Sequence, residues 1–176
     1  SSAIRWLSSL YEVTGRLYYM RGFVEEMSAG AATTMCAEWN GINQYGQYAV
    51  CLTLEQASNG SPARGISDGE PAAWCVYTAN ADFGNAEVME LYYPLMYLGR
   101  NMEPDSGGYG KFRGGLGHTT VWMVKNSPGM HYAAACAGAH SKITANHGMF
   151  GAYPTPGDRV AYAAGTNVRE LIEQRK

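Results

Sequence analysis

The sequence carries no basic excess: 13 Lys and Arg stand against 15 Asp and Glu, a formal net charge of -2. A surface so balanced does not draw a phosphate backbone or an anionic membrane, so nucleic acid is not an expected partner. No apolar run reaches the roughly 18 to 20 residues that span a bilayer, and the first residues lack the charged start and apolar stretch of a signal peptide. These absences predict a soluble, cytoplasmic chain without membrane contact. Cysteine is sparse, and Cys36, Cys51, Cys75 and Cys136 form no CxxC pair, which excludes a zinc knuckle or a thioredoxin-type motif. Their apolar or small neighbours predict buried free thiols rather than disulfides. His118, His131, His140 and His147 fall in no H-x-x-H, H-E-x-x-H or H-x-x-D array, so no local metal site is expected. Internal repeats and low-complexity tails are missing too. The opening "SSAIRW" has no initiator Met, which fits a processed chain, a cloned segment or a piece of something longer.

What is present is a chain of 176 residues, 46% of them hydrophobic, enough to bury one core and best accommodated as a single domain over 1–176. Ile4, Leu7 and Tyr11 recur at helical spacing behind a Ser that can cap, with Gly15 placed to close the helix. "RLYYMRGFVEEMSAG" reads as a second helix through Leu17, Met20 and Val24, weakened by Gly22. From about Cys36 the pattern changes to short extended runs. "YAVCLTLEQ" sets Val50, Leu52 and Leu54 against Cys51, Thr53 and Glu55, the period of a half-buried strand. "SNGSPARGISDGEP" reads as a long surface loop. "AAWCVYT", "LMYLGRNM", "HTTVWMVK", "MHYAAACAG" and "RVAYAAG" are further strand candidates. "NVRELIEQRK" closes as a helix with Asn167 as cap and Glu170 three residues on. The expected class is α+β, a strand-rich mixed or antiparallel sheet with short helices at both ends.

The stretch "EPDSGGYGKFRGGLG", Glu103 to Gly117, is the densest chemical signal. Glycines beside a Lys are what a nucleotide loop needs to bring N–H groups near an anion. The spacing excludes that here: Gly110-Lys111 is followed by Phe112, and Asp105 occupies the first glycine position of the template. A dinucleotide fingerprint fails because Gly108, Gly110 and Gly114 are one residue too far apart and a strand follows. "DSGG" lacks the preceding Gly and the upstream histidine segment of a serine peptidase. The stretch is best read as a connection between strands in which Pro104 forbids ladder pairing and Gly107-Gly108 turn the chain. Lys111 and Arg113, with Asp105 and Ser106 beside them, are the candidate anion or interface contacts. Glu87 and Glu90 would share a face only on a helix, and Pro94 favours a strand or loop there.

From Asp82 to Gly117, "DFGNAEVMELYYPLMYLGRNMEPDSGGYGKFRGGLG" resembles a signature of the hydantoinase B/oxoprolinase family. A Glu-containing segment leads to "YP", a strand, and then Pro-Asp-Ser-Gly-Gly with Gly110, Arg113-Gly114-Gly115 and Gly117 in place. Within the family it is most similar to the large subunits of ATP-dependent ketone carboxylases, the acetone and acetophenone carboxylases.

The resemblance implies a component of a multi-subunit enzyme that joins bicarbonate and a ketone into a 3-oxo acid. ATP is used by a hydantoinase A-like, kinase-type subunit, and a divalent metal (Mn or Mg, possibly Zn) is held by the hydantoinase B-like subunit. The metal motif lies N-terminal to the matching part, so this chain is expected to bind no cofactor. It corresponds to the C-terminal portion of a longer subunit in a hetero-oligomer. The same family implies two alternatives: a component of a hydantoinase- or oxoprolinase-type cyclic amide hydrolase, and a non-catalytic structural module of such a complex. Gly107, Gly108, Gly110, Gly114, Gly115 and Gly117 are the structural glycines of the turn, and no catalytic residue is assigned.

Overall fold

The computed structural model describes residues 2–25, 27–28, 35–53, 60–72, 85–136, 148–155 and 161–175. Helix α1 (Ser2–Met20) runs through the expected stop at Gly15. Gly15 is there for close packing: an added Cβ would lie 2.7 Å from the Ser28 carbonyl oxygen and 3.5 Å from Met149 Cε. The helix ends in a Schellman turn instead, where Phe23 N–H donates to Tyr18 O at 2.9 Å and Gly22 N–H to Tyr19 O at 3.1 Å. Gly22 takes the left-handed φ of 82° that this turn needs. The second helix expected over "RLYYMRGFVEEMSAG" is, where described, the last turn of α1 followed by irregular backbone.

Two antiparallel sheets follow. Strands β1 (Met35–Ile42), β2 (Tyr48–Thr53) and β5 (Gly129–Cys136) form one in the order β2-β1-β5, and β3 (Leu95–Met102) pairs with β4 (His118–Val124) in the other. The α+β class and the antiparallel pairing agree with expectation. The sequence had left the central strand β1 unnamed. Its role follows from Trp39, which stands in register with Cys51 of β2 on one side and Tyr132 of β5 on the other.

The two sheets meet through aromatic edges. The Trp39 ring lies edge-on to Tyr132 at 4.8 Å between centroids and to Trp122 of β4 at 5.9 Å, and Trp122 meets its cross-strand neighbour Tyr97 at 5.9 Å. Such edge-to-face pairs add about 0.5–1.5 kcal/mol each to area burial. Trp39, Cys51 and Leu95 are buried at this junction, with Met89, Tyr93 and Met130 packed around them. Strand β2 therefore has the expected alternation with the opposite face inward: Cys51 is buried and Val50 is exposed. Cys51 is in no disulfide.

Glu87 and Glu90 lie on a helix after all, α2 (Ala86–Tyr92). Asn85 caps it through Oδ1, which accepts from the N–H of Glu87 at 2.9 Å and of Val88 at 3.3 Å, and Pro94 falls beyond its end. Glu90 Oε1 accepts the Tyr97 N–H at 2.7 Å, a tie between α2 and β3 rather than half of an acid pair. Helix α3 (Val168–Glu173) forms as expected with Asn167 before it, but the Asn167 side chain makes no capping bond. Residues 161–165 of the proposed strand "RVAYAAG" are not extended into a ladder, and Tyr162 is 92% exposed. The strand proposed at "AAWCVYT" lies outside the described residues apart from its first alanine, which sits in a turn. Among the described residues no helix is long and apolar enough to cross a membrane.

The core carries a pH signature. Burial, followed by the charge and hydrogen bond of the neighbouring Cys51 sulfur, raises the Tyr93 phenol above its ordinary value of 10.0. The unfolded chain then loses this proton first, so stability holds up to about pH 10 and falls above it. Urea midpoints followed from pH 8 to 11.5 should show that fall. Tyr93→Phe should lessen it, leaving the contribution of Tyr109, which is also raised.

Candidate functional site

The Gly-rich stretch connects β3 to β4 as expected, but it is a folded loop rather than a tight turn. Its ends are joined by Glu103 N–H donating to Gly117 O at 3.0 Å. The left-handed residue at the bend is Asp105, φ 56°, and not Gly107 or Gly108. Ser106 acts as a clasp: its Oγ donates to Glu103 O and accepts from Gly117 N–H, both at 2.8 Å. Ser106→Ala would leave a half-buried N–H without its acceptor and should cost about 1–3 kcal/mol in urea unfolding.

The middle of the loop interleaves with two distant segments. Gly115 N–H donates to Ser61 O, Ala72 N–H to Leu116 O, and Gly69 N–H to Arg113 O, all at 2.8–2.9 Å. The Arg113 N–H donates to Asp68 Oδ1 at 2.8 Å. On the other side Tyr153 N–H donates to Tyr109 O at 2.7 Å. Three glycines, Gly107, Gly108 and Gly115, are dictated by how closely backbones approach, the first and last most severely. A Cβ on Gly107 would stand 2.1 Å from Gly114 O, and one on Gly115 would stand 2.0 Å from Glu70 O. Gly117, by contrast, has only ordinary contacts, the nearest being Ser106 Oγ at 3.6 Å.

The far half of the loop spends its N–H groups on the fold. The N–H groups of Arg113, Gly114, Gly115 and Gly117 all donate to oxygens of the chain itself. Three or more His, Cys, Asp or Glu do not come together among the described residues as a metal ligand set. His118 begins β4 and His131 lies in β5, while His140 and His147 fall outside the described residues.

The loop does present a polar surface cluster. The Arg113 guanidinium lies over the Tyr109 ring, 4.8 Å from its centroid, and the Tyr109 hydroxyl donates to Asp105 Oδ1 at 2.8 Å. That hydrogen bond to Asp105 is the main cause of the raised Tyr109 phenol, which Arg113 partly offsets. Lys111 sits 5.2 Å from the centroid of Phe112. Beneath the loop a half-open cavity of about 650 Å³ is lined by Tyr19, Met27, Lys111, Phe112, Phe150 and Tyr153 among others. Arginine, lysine and aromatic faces grouped in this way suit binding and docking.

Of the residues picked from sequence, Asp105 and Arg113 are brought together, with Tyr109 between them, and Lys111 sits at the cavity. Ser106 is turned inward to the loop's own closure. The reading missed Tyr109 as the link, and Asp68 and Ser61 as anchors. A signal existed: "SNGSPARGISDGEP" is as rich in Gly, Ser and Asp as the loop it meets, the composition two segments need to approach backbone to backbone.

The hydantoinase B/oxoprolinase family model matches residues 8–176. The acetone carboxylase alpha subunit of Xanthobacter autotrophicus is 35% identical over 168 residues, covering 94% of this chain and 21% of that subunit. The acetophenone carboxylase delta subunit of Aromatoleum aromaticum is 31% identical over 141 residues, covering 76% of this chain and 19% of that subunit. A chain of nucleotide-free acetone carboxylase superposes with a TM-score of 0.83 at 34% identity, over 98% of this chain and 23% of that one. The chain thus spans about a fifth of the length of these relatives. Through this match along nearly its whole length, the chain belongs to the hydantoinase B/oxoprolinase family.

Proposed function

We propose that this chain is the C-terminal portion of the hydantoinase B-like subunit of a cytoplasmic, ATP-dependent ketone carboxylase that joins bicarbonate and a ketone to give a 3-oxo acid. The observation that carries this reading is the 35% identity to the acetone carboxylase alpha subunit over 94% of the chain. In the proposed hetero-oligomer a hydantoinase A-like, kinase-type subunit uses ATP, and the remainder of the B-like subunit holds a divalent metal, Mn, Mg or Zn. This chain contributes one folded domain. Its Gly-rich loop fastens the 60–72 and 148–155 segments together and turns Arg113 and Lys111 outward.

Those two cations are proposed to meet carboxylates of a neighbouring subunit or the anions of the reaction. In either role the charge lies against an aromatic face and in no ion pair among the described residues, and so stays available to an outside anion. Replacing both, Lys111→Ala with Arg113→Ala, in the assembled enzyme should weaken assembly or turnover about tenfold, the worth of one charged hydrogen bond. Unchanged assembly and unchanged turnover together would remove both roles.

The activity itself is tested on the whole assembly supplied with ketone, bicarbonate and ATP, in parallel with a cyclic imide. ATP-dependent formation of a 3-oxo acid is the expected result. Imide opening without carboxylation would replace this reading with that of a cyclic amide hydrolase.

A further inference from the structure

Helix α1 carries Trp6, Leu10, Val13, Leu17 and Met20 at alternating spacings of four and three residues, the pattern of a helix–helix seam. All five side chains are exposed, by 45 to 80%. At about 100° per residue they occupy an arc of roughly 80°, while Gly15 lies on the opposite side of the helix. That opposite side is where α1 rests on Ser28 and Met149. The helix is thus docked through one face while the opposite face carries an exposed apolar stripe, and a helix's apolar stripe is ordinarily the part that packs against another element. Beside the seam Glu12 and Arg16 pair with each other at 2.7 Å, so covering it strands no charge.

We infer that this seam is covered, in the complete subunit, by an apolar helix face from the four fifths of the hydantoinase B-like polypeptide outside the matched region. The inference rests on the family-based reading above and assigns it a contact surface. A second copy of this chain is the weaker occupant on two counts. The seam spans two heptads, fewer than the three or four that sustain a coiled coil. One 19-residue helix also offers less than the roughly 1,200 Å² at which stable interfaces begin. Five apolar side chains in a row, without a polar group among them, likewise fit a helix face better than a small polar ligand.

The test introduces a single thiol, Leu10→Cys or Leu17→Cys, and follows iodoacetamide labelling by peptide mass spectrometry. It is done in the 176-residue chain and in the Xanthobacter acetone carboxylase alpha subunit whose matching region is replaced by this chain. Cys51, buried in the core, stays unlabelled in both and reports folding. The expected result is rapid labelling in the chain alone and labelling at least about tenfold slower in the chimera, since a packed helix face reacts only on opening. Equal rates in a chimera that assembles normally would overturn the seam and leave the subunit reading standing. Slow labelling of the chain alone that quickens on dilution would assign the seam to a second copy and overturn it as stated. A chimera that fails to assemble where the unaltered alpha subunit succeeds would overturn the subunit reading and the seam with it.

Discussion

Gly115→Ala is expected to destabilise the chain by at least about 3 kcal/mol, a large part of the roughly 5–15 kcal/mol available to a domain. The new Cβ would sit 2.0 Å from Glu70 O and 2.5 Å from the Glu70 carbonyl carbon. Both are backbone atoms, and the same stretch is pinned by Ser61 N–H donating to Glu70 O at 2.8 Å and by Gly115 N–H donating to Ser61 O. No side chain can rotate to make room, so two loops must part. Gly107→Ala meets Gly114 O at 2.1 Å and should behave alike. Gly117→Ala belongs to the same motif yet should cost under about 0.5 kcal/mol, as for a substitution that touches nothing critical. Urea midpoints of the three variants separate steric necessity from mere glycine richness. Equal effects would mean that the close approach of the loops is not what holds these positions.

The second large effect is expected at Trp39. Trp39→Ala should cost about 3–5 kcal/mol, because it empties a site bounded by Cys51, Tyr132 and Trp122 where the two sheets touch. Trp39→Phe should be much milder. The buried indole N–H of Trp39 has no hydrogen-bond partner among the described residues, so phenylalanine removes an unmet donor along with ring volume. Near-UV circular dichroism and denaturant unfolding would measure both. A double-mutant cycle with Trp122→Ala should return a coupling of about 0.5–1.5 kcal/mol, whereas strict additivity would mean that the sheets are held by something other than this edge-to-face contact.

These residues also show how far the sequence could be read. Period-two alternation and aromatic content located β2, β3, β4 and β5, because those signals are local. The inward face of β2 was not local: Cys51 is inside because Trp39 lies across from it, a fact of pairing and not of hydropathy. Strand β1, with its Glu38, Asn40 and Gly41, looks polar by itself and becomes central only once two neighbours share its ladder. Gly15 reads as a helix stop and Gly22 as a weak point within a second helix, yet Gly15 admits a neighbour and Gly22 ends the helix, since a glycine that packs and one that turns a chain look the same in one dimension. At the Gly-rich loop the spacing departs from a nucleotide template, and the loop does connect two strands as its composition suggested. The partners of the loop, 45 residues away at Asp68, could not be deduced from it.

The loop's stitching also bears on the order of assembly. The β3–β4 ladder closes over a short stretch of chain, with Glu103 and Gly117 meeting across the loop. The bonds from Arg113 to Asp68 and from Tyr153 to Tyr109 bring together segments more than forty residues apart, and loop-closure entropy must be met before either bond contributes. The hairpin should therefore form early and the three-segment junction late. The six glycines of this loop, among them Gly107, Gly108 and Gly115 that give it backbone-to-backbone closeness in the native state, also leave it with the most freedom to lose, so refolding should be limited by this junction and not by the sheets.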